Sequence, residues 1–133
     1  MYKIGMYGGK FMPFHKGHKY CVEVAAQECE KVYVILFYGC SDEDEILRNN
    51  HTKYLSVENR KKQIIKLTNS IPNAIPIFID VSNCRREDDT EDWDQETPLV
   101  REVVGSHLDA VYSSEESYGK YFSEAYPEAV HRL

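Results

Sequence analysis

Stretches of unbroken apolar residues alternate along the chain with stretches in which apolar residues recur at helical spacing. Tyr2 to Tyr7 is short and mostly apolar and ends at Gly8-Gly9, which predicts a strand running into a loop with unusual backbone angles. From Gly17 onward, Tyr20, Cys21, Val24 and Ala25 recur near the helical period up to Glu30, so an amphipathic helix follows the glycines. Lys31 to Tyr38 is, after its lysine, continuously apolar and rich in β-branched and aromatic residues, as in a parallel strand covered on both faces, and Gly39 ends it. After the polar segment Cys40 to Leu55, Ser56 is placed to cap a second helix whose apolar positions Ile64, Ile65 and Leu67 run towards Ser70. Pro72 and Pro76 flank a loop before a third strand, Ile77 to Val81. Glu87 to Asp94 reads as an acidic surface loop, Pro98 to Val104 as a short helix stopped at Gly105, Asp109 to Tyr112 as a fourth strand, and Tyr118 to Tyr126 as a last helix.

Strands alternating with helices at these spacings predict an α/β fold, a Rossmann-like doubly wound parallel sheet flanked by helices, within one domain spanning 1–133. Such sheets bind ligands beyond the carboxyl ends of their strands, where strand order reverses. Four loops lie at those ends: Gly8 to Lys16, Tyr38 to Asp42, Asp80 to Asn83 and Ser113 to Tyr118.

Composition narrows the picture by exclusion. An apolar share of 42% and a charged share of 29% are ordinary globular values, which sets aside disorder, collagen and coiled coil. The longest apolar run, Val32 to Tyr38, falls far short of the roughly 18 residues of a membrane span. The first residues lack the layout of a signal peptide, so the expected compartment is the cytoplasm. Cys21, Cys29, Cys40 and Cys84 form no C-x-x-C pair and read as free thiols. A formal net charge of −6 argues against broad nucleic-acid binding, which needs a basic face. A small phosphorylated ligand needs only a local cluster, and Lys10, His15, Lys16, His18 and Lys19 supply one.

That cluster surrounds a run with a definite physical logic. Gly8-Gly9 lets the backbone pass close under a ligand, Pro13 stiffens the loop, and Gly17 lets a phosphate approach the helix start. The helix N-terminus presents amides and the positive end of its dipole to an anion. His15 and His18 can donate to phosphate oxygens while Lys10 and Lys16 carry fixed charge, an arrangement suited to stabilising charge on a phosphate during in-line attack. A zinc site built from His15, His18 and Cys21 lacks supporting ligands elsewhere, so no metal-binding residue is assigned.

The run Gly9-Lys10-Phe11-Met12-Pro13-Phe14-His15-Lys16-Gly17-His18 resembles the G-x-F-x-P-x-H-x-G-H pattern of the nucleotidyltransferase superfamily. Its wording is especially similar to the nicotinamide-nucleotide adenylyltransferase domain of bacterial NAD-salvage proteins, which also carry a loop like Ser113-Ser114-Glu115-Glu116-Ser117-Tyr118-Gly119. The resemblance implies transfer of AMP from ATP to nicotinamide mononucleotide with release of pyrophosphate, using Mg²⁺. It implies catalytic roles for His15, His18 and Lys10, and nucleotide binding by Gly8, Gly9, Phe11, Gly17, Ser114, Glu115, Tyr118 and Gly119. Small-molecule nucleotides would be the partners, with no nucleic acid and no membrane, and a homo-oligomer fits because related enzymes are often oligomers.

Three further residues have two readings each. Trp93, the sole tryptophan, stacks on the nicotinamide ring in the family's manner or plugs its loop onto the body. Arg60 meets a substrate phosphate or belongs to an exposed basic turn, and Arg85 and Arg86 are equally open. Tyr38 contacts a substrate ring or merely ends its strand. The chain departs from the family at its end, where a fifth strand and an I-S-x-T-x-I-R motif opening a phosphate-binding helix are expected, and Ala129 to Leu133 looks like the start of that strand. Phosphopantetheine adenylyltransferase, a cytidylyltransferase acting on a sugar or polyol phosphate, and a non-catalytic nucleotide-binding module are the alternatives.

Overall fold

A strand packed on both faces has no position left for a polar side chain, and the apolar run that ends before Gly39 meets that condition inside a parallel sheet. The computed structural model describes residues 2–9, 16–39, 57–84, 93–105, 107–112, 122 and 124–132. In chain order the elements are β1 (Tyr2–Gly9), α1 (Lys16–Glu28), β2 (Cys29–Tyr38), α2 (Val57–Asn69), β3 (Ala74–Asp80), α3 (Trp93–Val104), β4 (Ala110–Tyr112) and β5 (Val130–Arg132). All strands pair in parallel, in the order β3-β2-β1-β4-β5. Strand order reverses between β1 and β4, which makes the fold the doubly wound, Rossmann-like α/β sheet that the alternation predicts.

Alternate residues of the inner strands serve opposite faces. Tyr7, Val32, Val34 and Leu36 pack with Val22 and Ala25 of α1 and with Ile64 and Leu67 of α2. Met6, Ile35 and Phe37 pack on the other side with Val100 and Val104 of α3 and with Phe122 and Tyr126. Fully enclosed side chains such as Ile35 and Leu36 each contribute about 1.5–3 kcal/mol.

Several boundaries differ from the sequence expectation, each for a physical reason. Gly8 and Gly9 do not turn; they continue β1, opposite Ile35 and Leu36. A Cβ on Gly8 would come 2.7 Å from the Phe37 ring, so close packing demands the glycine there. Helix α1 stops at Glu28 and Cys29 opens β2 directly, which places Cys21 and Cys29 on different elements although helical periodicity puts them on one face. Strand β3 begins before Pro76 instead of after it. The bonds Val32 N to Asn73 O and Val81 N to Tyr38 O show that odd-numbered residues of β3 face β2, so the proline's missing N–H lies on the open edge and costs no ladder bond. Helix α3 begins at Trp93 and carries Pro98 inside it, with Asp94 and Glu96 in a first turn whose dipole favours them. Asp94 is therefore helical, while residues 87–92 of the acidic stretch lie outside the described residues. Of the expected last helix, Phe122, Glu124 and Ala125 are helical, with Tyr126 N donating to Phe122 O at 2.8 Å. Ala129 to Leu133, which resembles the start of a fifth strand, holds β5: Val130–Arg132 pairs with β4, a strand too short to show alternation in sequence.

Two polar clamps fasten the ends of these elements. Arg101 near the end of α3 holds Glu128 through two bonds, 2.6 Å and 2.9 Å, and lies 4.7 Å from the centroid of the Tyr126 ring. Glu128 also accepts from Leu108 N at 3.0 Å, which joins α3, the approach to β4 and the turn before β5. The Arg101 guanidinium holds the Glu128 carboxyl down at about 2. At the other end of the sheet, Gly39 turns the chain with a φ of 82°. Beside it Asp80 accepts from Ser82 N at 2.9 Å, and that amide keeps the carboxyl below the usual aspartate range.

Two stability predictions follow from these contacts. A carboxyl depressed in the folded state stabilises fully above its ordinary value of 4.5 and loses that contribution as pH falls from there through about 2. Glu128→Gln should therefore lower the unfolding free energy by about 1 kcal/mol near neutral pH, because solvent screens the exposed pair, and the gap to wild type should shrink on acidification, as read by urea denaturation at a series of pH values. Gly39→Ala would hold an L-residue in the left-handed region with its Cβ 2.8 Å from Asp80 Oδ1. It should cost at least about 1–2 kcal/mol, visible as a lowered denaturation midpoint with unchanged slope.

Candidate functional site

The place where strand order reverses is defined by two neighbouring carboxyl ends. Tyr7 of β1 and Tyr112 of β4 are register partners; Tyr112 ends its strand and Tyr7 lies two residues before the end of β1. Helix α1 rises from the loop after β1, so its N-terminus stands over this end of the sheet. The first-turn amides of a helix have no intrahelical acceptor, and the dipole adds partial positive charge. No acidic residue in the first turn of α1 offsets that charge.

His18 lies in this turn and is half-buried. Its imidazole sits against the Tyr7 ring, with centroids 6.4 Å apart and planes tilted by 48°. The fold thus brings Gly8, Gly9, Gly17 and His18 together at the carboxyl end of β1. Gly8 faces Phe37, so the role visible for it is packing. Lys10, Phe11, His15, Ser114, Glu115, Tyr118 and Gly119, with Arg85 and Arg86, lie outside the described residues. Trp93 opens α3 instead of sitting within a loop, and its side chain is also outside the described set.

A second group sits at the carboxyl ends of β2 and β3. Arg60, near the start of α2, is 0% exposed, which removes the reading of an exposed basic turn. Its neighbour Lys61 places Nζ 4.7 Å from the centroid of the Tyr38 ring and 5.4 Å from that of Phe78. A face of Tyr38 is therefore covered by a cation of the chain itself, a contact worth roughly 0.5–1 kcal/mol where solvent is close. Lys61, Phe78, Asp80 and Ser82 have no motif to mark them. Only the expectation that these strand ends form the mouth of the crevice could have pointed to them.

Sequence reasoning also overlooked a buried polar group at the foot of α1. Tyr112 donates to Glu28 Oε1 at 2.8 Å and lies 3.6 Å from Cys29 Sγ. Burial pushes both the Tyr112 phenol and the Cys29 thiol up, so neither ionises near neutral pH and the group acts as a fastening. Among the described residues, no group of three His, Cys, Asp or Glu side chains is placed to hold a metal ion, and no helix is long and apolar enough to cross a membrane.

The comparisons agree with this geometry. The cytidylyltransferase-like family model matches residues 6–116. No curated protein matches the sequence at a significant level. Among solved structures, a bifunctional NMN adenylyltransferase/ADP ribose pyrophosphatase from Francisella tularensis is 20% identical with a TM-score of 0.66, the match covering 100% of this chain and 38% of that one. A NadR protein in complex with NAD and AMP-PNP is 17% identical with a TM-score of 0.70, again over 100% of this chain and 38% of the other. A NadR protein in complex with NR is 20% identical with a TM-score of 0.67, over 98% and 36%. The chain spans less than two-fifths of the length of these structures, and at such identities the likeness speaks for the fold. With the run Gly9 to His18, the helix start over the strand-order reversal and a family model that covers most of its length, the chain belongs to the cytidylyltransferase-like family within the nucleotidyltransferase superfamily.

Proposed function

We propose that this chain carries an adenylyltransferase site that moves AMP from ATP to nicotinamide mononucleotide. The observation that carries the reading is His18, held in the first turn of α1 above the strand-order reversal, in a helix start without acidic residues. The wording of the glycine-histidine run and the adenylyltransferase neighbours support nicotinamide mononucleotide as acceptor.

In this reading a phosphate oxygen of the acceptor attacks the α-phosphorus of ATP in line. The bond to the pyrophosphate oxygen breaks as the new P–O bond forms, and negative charge grows on the non-bridging and leaving oxygens. The α1 amides and a His18 N–H donate to those oxygens, which stabilises the charge where it develops. Lys10 and His15 add positive charge and a donor on the triphosphate side, Gly9, Phe11 and Gly17 line the nucleotide, and Ser114, Glu115, Tyr118 and Gly119 approach it from the loop after β4. Mg²⁺ enters as part of the MgATP substrate, held chiefly by phosphate oxygens and water. Arg60 and Trp93 serve the acceptor's phosphate and ring, and Tyr38 borders the same pocket.

The deciding assay offers MgATP with nicotinamide mononucleotide, MgATP with phosphopantetheine, and MgCTP with a polyol phosphate, and measures pyrophosphate and product. Pyrophosphate should appear with NAD from the first pair only. No product from any pair would overturn the enzyme reading and leave a nucleotide-binding module. His18→Ala should lower turnover on the order of a hundredfold or more while the fold stays intact by circular dichroism, because a donor to the transition state is lost. Unaltered turnover would remove His18 from the site.

A further inference from the structure

We infer that Tyr7 is a positioning residue for His18: its ring is the platform that fixes the imidazole over the strand-order reversal. The inference rests on the proposed function for its kinetic arm and on geometry alone for its structural arm. Tyr7 is 1% exposed, and its backbone is held on both sides, opposite Val34 of β2 and Tyr112 of β4. It therefore belongs to the most firmly held part of the sheet, two residues before the strand ends. His18 stands on another element, next to Gly17 in the first turn of α1, where packing decides which χ1 and χ2 a half-buried ring adopts. The Tyr7 ring packs against it: a centroid separation of 6.4 Å and a tilt of 48° fall in the range of attractive tilted ring pairs.

The consequence concerns the transition state more than the substrate. A donor that must meet charge developing on a phosphate is effective only when already aimed, because a displacement of about 1 Å can cost on the order of a hundredfold in rate. A platform that removes imidazole freedom should act on kcat and leave the KM for ATP nearly unaltered, since the first-turn amides of α1 would still hold the triphosphate. The ring, and not the hydroxyl, is the element invoked, which separates this role from a hydrogen bond made by the phenol.

The test compares wild type, Tyr7→Phe and Tyr7→Leu by proton NMR of the histidine rings, with His18→Gln used to assign the His18 signals, and by steady-state kinetics. Wild type should show a nuclear Overhauser contact between the Tyr7 and His18 rings and a ring-current displacement of the His18 signals. Tyr7→Phe should keep both the displacement and the rate within about threefold, while Tyr7→Leu should lose the displacement and drop kcat about tenfold with KM for ATP little changed. Equal losses in Tyr7→Phe and Tyr7→Leu would overturn the ring as platform, and so would a Tyr7→Leu protein with wild-type signals and kcat. If Tyr7→Leu does not fold, absence of the Overhauser contact in wild type overturns the proposal by itself. If wild type forms no product with any acceptor, the functional reading fails while the NMR arm still decides the contact.

Discussion

Both faces of β1 and β2 have to be covered, and right-handed crossovers allow this only if the chain winds away from β1 in two directions. The steps from β1 to β2 and from β2 to β3 move one way and lay α1 and α2 on one face. The step from β3 through α3 to β4 returns past β1 to its other side and lays α3 on the opposite face. A crevice between the carboxyl ends of β1 and β4 follows from that geometry, before any side chain is chosen to use it. The candidate site is thus a by-product of burying two apolar faces, and the run Gly9 to His18 falls on it because it is the first crossover of the winding.

The parts of this arrangement legible in sequence are those that rest on long patterns. The apolar run of β2 announces a strand buried on both sides, and the β-α alternation announces the winding. What periodicity could not supply were decisions made by neighbours distant in sequence. Gly8 and Gly9 look like a turn until Phe37 is seen to need the space above Gly8. Pro76 looks like a strand breaker until β3 is seen to be an edge, and Pro98 looks like a helix start although it sits inside α3. Arg60 shows the same limit at the site: composition marks Arg60-Lys61-Lys62 as a basic turn, whereas helical phase turns Arg60 fully inward and sets Lys61 on two aromatic rings.

Helix α1 unites the two ends of the sheet. Its last turn is tied down where the sheet begins: Asn73 Nδ2 donates to Ala26 O at 2.8 Å and to Cys29 O at 2.9 Å, and Tyr112 donates to Glu28. These bonds join α1 to the approaches or ends of three strands, and none of them could take part in chemistry at the opposite end. Tyr7 and Tyr112, side by side in register, therefore divide the work along one helix: Tyr112 reaches its foot and Tyr7 its head. A helix clamped at its foot and packed along Val22 and Ala25 carries its first turn as a rigid projection of the core. Reactions at a phosphate call for preformed donors and little else from the protein. A fold whose best-buried elements end at the crevice sets the His18 turn directly on its core, so under the proposed reaction the aim of His18 would depend on the packing beneath it.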